Sequence, residues 1–219
     1  MNMLSVKQLI IRRNEGEILI GPLTFDIAAG EVMTLMGASG VGKSTVLNWL
    51  IGARQPMFTI SGEAWLDGKN IDQLPTEQRR VGILFQEDLL FPHFSVGDNL
   101  AYALPAHIKG RKARRAAVED VLDSVQLGAF HDRDPATLSG GQRARVSLLR
   151  TLLAEPQALL MDEPFSKLDA ELRQQFRQFV YDRVTERKIP TLLVTHDAED
   201  VPAGGRVLEL STPEPAHVG

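Results

Sequence analysis

Cysteine is absent from the 219 residues. Disulfides, iron–sulfur clusters and thiolate zinc sites are thereby excluded, and the total absence fits a reducing compartment. Aromatic residues are scarce at 6%, with two tryptophans and two tyrosines among them. Neither sign of charge dominates: 24 Lys and Arg stand against 28 Asp and Glu, a net charge of −4. With a pI near 5.8 there is no bulk attraction to nucleic acid, and no such partner is expected. No apolar run approaches the roughly 18 residues that span a bilayer. The start, Met1 to Arg13, mixes Lys7, Arg12 and Arg13 through or after its short apolar part. A secretory signal puts its basic residues first. A cytosolic chain is expected, one that another protein must hold if it works at a membrane.

The rest is ordinary for a folded protein, 43% hydrophobic and 24% charged, which excludes wholesale disorder. The length supports one domain, or one with a lobe inserted. Short apolar runs alternate with helical stretches. Val32–Met36, Ala158–Met161 and Thr191–Thr195 read as strands buried on both faces, as parallel strands are. Lys43 to Ile51, Gln142 to Leu153 and Ala170 to Glu186 read as helices, so an α/β sheet is expected. Ile18–Ile20, Leu23–Ile27 and Ala64–Gly68 look like antiparallel strands at one side. From Glu87 to Thr137 the pattern holds only helical pieces, separated by Pro92, Pro105 and Gly110. The piece Arg111 to Val125 carries one apolar face, suited to a small lobe. The basic stretch Lys109 to Arg115 reads better as a solvated helix face than as a grip for nucleic acid or lipid. Ser211 to Gly219 reads as a loose tail.

Three segments carry chemistry. Gly37-Ala38-Ser39-Gly40-Val41-Gly42-Lys43-Ser44-Thr45 follows a strand and opens a helix. In that context G-x-x-x-x-G-K-[ST] folds into a nest of inward N–H groups on a helix start, a cradle for phosphate oxygens. Lys43 supplies a point charge to the β- and γ-phosphates, and the Ser44 hydroxyl can ligate Mg²⁺. Asp162, closing a buried strand, can hold the same ion through water. Glu163 follows, and an extended chain would turn its carboxylate the other way, placed to take a proton from attacking water. The bland alternative for these two acids is a helix N-terminal turn, since Pro164 comes next. In Leu138-Ser139-Gly140-Gly141-Gln142, Ser139 can cap the helix and the glycines allow close approach of an anion. One nucleotide has little use for two cradles on the same face. A second copy of the chain presenting the second cradle is the economical reading.

From about Leu4 to Leu210 the sequence resembles the ATP-binding subunit of ABC transporters. Further residues match the family pattern in order: Gln86 as the Q-loop glutamine that touches Mg²⁺, Ser166-Lys167-Leu168-Asp169 as the D-loop that crosses to the other protomer, and His196 as the switch histidine at the γ-phosphate. The resemblance implies an α/β P-loop NTPase fold. Its core would comprise 1–86 and 138–210 with a mixed or parallel sheet and an antiparallel β side, its helical subdomain 87–137, its tail 211–219. It implies ATP and Mg²⁺ as cofactors. ATP would bind to Gly37 through Thr45 and Gln86, and in trans to Ser139, Gly140, Gly141, Gln142 and Asp169. Glu163, His196 and Lys43 would be catalytic, with Ser44, Gln86 and Asp162 around the metal.

Two departures stand out. Where the family usually places an aromatic ring to stack on adenine, this chain reads Ile10-Ile11-Arg12-Arg13-Asn14. Arg13, or Arg12, is then the candidate for the base, through its guanidinium plane, and the choice between ATP and GTP is open. Lys167 stands where a small residue is common, either pairing across a dimer or facing solvent, the latter preferred. The segments Leu89 to Leu100 and Asp162 to Ser166 resemble bacterial importers. The resemblance thus implies a homodimer on the cytoplasmic face of the inner membrane, peripheral through a permease, with an extracytoplasmic solute-binding protein in the same system. An exporter subunit and a soluble ATPase of the Fe–S assembly type are the alternatives.

Overall fold

The computed structural model describes residues 2–53 and 55–210. The continuous apolar runs form the middle of a five-stranded sheet. Its strands are β3 (Val32–Gly37), β6 (Val81–Leu84), β7 (Ala158–Asp162), β8 (Thr191–Val194) and β9 (Arg206–Leu210), in the order β6-β7-β8-β3-β9. Pairing is parallel between β3 and β8, β3 and β9, and β7 and β8. Leu159, Leu160, Met161, Leu192 and Leu193 are wholly buried, as residues covered on both sheet faces must be.

A second, four-stranded sheet runs antiparallel. It holds β1 (Met3–Arg13), β2 (Ile18–Ala28), β4 (Phe58–Leu66) and β5 (Lys69–Asn70), in the order β2-β1-β4-β5. The register of β1 against β4 slips between Lys7 and Ile10. Gly62 makes this possible: at φ 132°, a Cβ there would lie 2.7 Å from Leu9 Cα. Helix α1 (Lys43–Ile51) and both sheets bury a common core that includes Leu4, Ile11, Leu35, Leu47, Leu50 and Leu160.

The short α2 (Thr76–Arg79) ends in a buried guanidinium. Arg79 donates to the carbonyls of Leu74, Trp49, Leu50 and Asp72 at 2.6–3.1 Å. Two of those carbonyls belong to the C-terminal turn of α1, so Arg79 acts as its cap. Burial lowers the Arg79 pKa, against the pull of Asp72.

The chain packs as two compact units. Everything above belongs to the first, drawn from residues 2–83, 157–163 and 181–210, apart from Leu84 at the end of β6. The second comprises 84–156 and 164–180. It contains α3 (Val96–Ala103), α4 (Arg111–Asp123), α5 (Gly140–Leu153) and the opening turns of α6 (Ala170–Arg187). The expected lobe ended at Thr137. Here α5 packs with it, because Val146 and Leu149 join Val96, Leu100, Val118 and Leu122 in its core. The fully buried Asn99 clamps the loop before α3, accepting from Phe91 N and donating to Phe91 O and Ser95 O. In the basic stretch, Arg114 donates to Ile108 O and Ala101 O and Arg115 pairs with Glu119 and Asp132, while Lys109, Arg111 and Lys112 are exposed, as a solvated helix face would be. Ser211 to Gly219, expected to be a tail, lies outside the described residues.

Candidate functional site

The first unit assembles a loop, a strand end and a histidine. β3 runs out at Gly37, the chain turns through Ser39 and Gly40, and α1 begins at Lys43. Gly42 caps α1 in the left-handed region (φ 102°), with no side chain on the first turn's N–H groups. A Cβ at Gly42 would sit 2.7 Å from Ile20 Cδ1, so glycine is required both for the turn and for the contact. Lys43 is buried, its Nζ donating to Gly37 O at 2.7 Å and Ala38 O at 3.0 Å. Ser39, Gly40, Lys43 and Ser44 line a cleft of about 240 Å³, joined by Arg13, Leu19, Phe58 and Glu163. A helix start with bare N–H groups and a lysine beside it is built for phosphate.

Ser44 Oγ donates to Asp162 Oδ1 at 3.2 Å, joining residues 118 apart in the chain. Burial raises the Asp162 carboxyl pKa, with Glu163 adding to the rise, while the Ser44 hydrogen bond and Lys43 lower it. Two oxygen donors this close, one a carboxylate whose charge is penalised by burial, fit a hard divalent cation such as Mg²⁺.

Glu163 is not extended as expected. Its φ is 46°, and the strand stops at Asp162. The proline that follows disfavours the right-handed helical region at this position, and the left-handed turn carries the carboxylate to His196. Glu163 Oε1 lies 3.2 Å from His196 Nδ1, while Glu163 N donates to Val194 O at 2.9 Å. The loop that presents His196 is held from behind. Thr195 Oγ1 donates to the buried Asp200 carboxylate at 2.8 Å and accepts from Asp197 N at 3.1 Å.

The second unit gathers the remaining candidates. Ser139 and Gln142 form a reciprocal capping box: Gln142 N donates to Ser139 Oγ at 3.3 Å, and Ser139 N to Gln142 Oε1 at 2.9 Å. α5 therefore starts at Gly140, two residues earlier than expected, with Gly140 exposed. Arg143 ties this start to another segment, donating to Leu138 O at 2.7 Å and to Asp88 Oδ2 at 2.8 Å. Asp169 caps α6 by accepting from Leu172 N at 3.0 Å. Gln86 is exposed and lines a groove of about 350 Å³ with Phe85, Leu89, Arg143 and Leu168. Lys167 Nζ pairs with Glu87 Oε1 at 3.0 Å, and both side chains stay more than half exposed.

The structure thus brings Arg13, Gly37 to Thr45, Asp162, Glu163 and His196 into one unit, and Gln86, Ser139 to Gln142 and Asp169 into the other. Sequence reasoning missed Phe58 and the Thr195–Asp200 brace. Nothing in the local sequence marks Phe58, since its place depends on pairing with Arg13 across the sheet.

Known proteins resemble this chain in sequence and fold. Residues 20–166 match the ABC transporter family. The uncharacterized ABC transporter ATP-binding protein YnjD of Escherichia coli is 55% identical over 210 residues, 95% of this chain and 95% of that protein. The sulfate/thiosulfate import ATP-binding protein CysA of Gloeobacter violaceus is 38% identical, over 87% of this chain and 55% of its own length. For the Fe(3+) ions import ATP-binding protein FbpC 2 of Haemophilus influenzae the identity is 37%, over 96% of this chain and 62% of that one. The chain therefore spans nearly all of the first relative and little more than half of the two import subunits. Among solved structures, cbiO1 from Clostridium perfringens, part of the ABC transporter complex cbiONQ, aligns with a TM-score of 0.81 at 28% identity, covering 94% of this chain and 84% of that one. The expected α/β P-loop fold is borne out, and the chain belongs to the ABC transporter ATP-binding proteins, which are ATPases.

Proposed function

We propose that this chain powers solute import: two copies close around two ATP, and hydrolysis lets them part while a separate permease reads the motion. The observation that carries the reading is the division of the candidates. A phosphate loop with its carboxylates and histidine lies in one unit, and a second glycine-bearing helix start is exposed in the other. In a pair of copies, Ser139, Gly140, Gly141 and Gln142 of one chain would cover the γ-phosphate held by the loop of the other, with Asp169 at the same seam. The identities with sulfate and ferric-ion import subunits support import over export.

Within the loop, the Gly37–Thr45 backbone and Lys43 hold and orient the phosphates. Lys43 exchanges its bonds to Gly37 O and Ala38 O for phosphate oxygens. Mg²⁺ bound to Ser44 and, through water, to Asp162 would neutralise charge on the β- and γ-phosphates; Gln86 is assigned to it by the resemblance. Glu163 accepts the proton of the attacking water, and His196, beside it, contacts the γ-phosphate and holds the carboxylate in line. No helix among the described residues is long and apolar enough to cross a membrane. In this reading a permease holds the pair at the cytoplasmic face of the membrane and docks in the groove that Gln86 lines. An extracytoplasmic solute-binding protein completes the system.

Glu163→Gln is the test. It is expected to bind ATP as wild type does and to lose turnover about 10²-fold or more, with an ATP-dependent dimer accumulating on size exclusion. Wild-type turnover in that variant would remove the proton-acceptor role.

A further inference from the structure

The phosphate loop fixes one end of a nucleotide, and the base must find a flat face elsewhere in the same cleft. The first strand offers none: Ile10 to Asn14 contains no ring. Phe58 is the ring that lines the cleft among the described residues. It opens β4 directly across from Arg13, the last residue of β1. It is half-buried, packed in part on the core.

Its surroundings are fixed by three independent ties. Gln55 Nε2 donates to Thr45 O at 3.0 Å, joining the loop before β4 to α1. Asn14 Nδ2 donates to Pro56 O at 2.8 Å. Phe58 N donates to Gln55 O at 3.0 Å. Beside it, the Arg13 guanidinium is held by Glu17 at 2.8 Å. These ties hold the backbone that presents the ring, which lowers the ordering cost of binding.

We propose that Phe58 is the surface on which the nucleobase stacks, with the Arg13 guanidinium beside it. The ring on this neighbouring strand does the work that Ile10 to Asn14 cannot. The inference rests on ATP occupying the Gly37–Thr45 loop. Stacking reads a base's face and not its edge, so ATP and GTP should depend on the ring alike.

Calorimetric titration of the full chain with ATP, GTP and tripolyphosphate tests this, because tripolyphosphate has phosphates and no base. Phe58→Leu keeps an apolar side chain on the core and removes the flat face. It is expected to weaken ATP and GTP about tenfold each and to leave tripolyphosphate unchanged. Phe58→Trp is expected to bind ATP at least as tightly as wild type. Its added fluorescence, relative to wild type, should be quenched by ATP and not by tripolyphosphate. Unchanged ATP affinity in Phe58→Leu, or equal loss of ATP and tripolyphosphate, would overturn the proposal. So would unquenched Trp fluorescence, which decides the matter even if the leucine variant fails to fold. Failure of wild type to bind either ligand would instead strike at the phosphate loop itself.

Discussion

Asp162 carries its charge at a cost. Its carboxyl pKa is raised chiefly by burial, so the folded chain holds that proton more readily than the unfolded one. Stability is then lost as pH rises from the ordinary carboxylate range through the raised folded pKa, and at neutral pH the charged side chain is a net penalty. Asp162→Asn, which can keep the Ser44 hydrogen bond, should melt higher than wild type at pH 7 in the absence of nucleotide. The gain should shrink as pH falls toward 4, while ATP hydrolysis drops steeply. A lower melting point at pH 7 would show that the carboxylate supports the fold. The same residue explains what was legible. Asp162 and the Gly37–Thr45 loop announce themselves because phosphate and cation chemistry demand fixed residues at fixed spacing. Glu163 misled because extension was assumed to continue past the strand, whereas the chain enters a left-handed turn before Pro164.

At the scale of elements, α1 depends on a residue outside it. Arg79 satisfies Trp49 O and Leu50 O along with two further carbonyls, all from a buried guanidinium. Arg79→Met keeps the aliphatic stem and orphans those acceptors, at an expected loss of about 3 kcal/mol. Urea denaturation measures it, and a loss below about 1 kcal/mol would mean that water substitutes for the guanidinium. The helices α1, α5 and α6 were legible to within two residues, through apolar spacing and the Ser139 cap. β6 and β9 were not picked out because most of their residues are only half-buried or exposed, so neither carries the continuous buried apolar run that marks β7 and β8. Phe58 was invisible for a different reason: β4 joins β1 across 45 residues of chain, and only the pairing puts the ring at the cleft.

For the whole molecule, the proposed pair of chains makes a prediction that one chain alone does not. Ser139→Arg places a cation where a second copy's phosphate would dock, without touching the Gly37–Thr45 loop. ATP binding to the single chain should persist, while ATP-dependent dimerisation and turnover are lost. Turnover surviving in that variant would mean that the second helix start serves another purpose. In the proposed system, substrate identity would be written elsewhere, in the membrane and capture proteins. The net charge of −4 adds nothing to that choice.

Arg143 joins two stretches of the second unit. One guanidinium bonds both the Asp88 carboxylate and the Leu138 carbonyl, so the stretch just after Gln86 and the residue just before Ser139 are fastened to the same rigid plate. A displacement of the first would therefore bear directly on the second. Force applied at the groove would arrive at Gly140 with almost no slack, as through a short connecting rod, and stroke length at one end would set stroke length at the other.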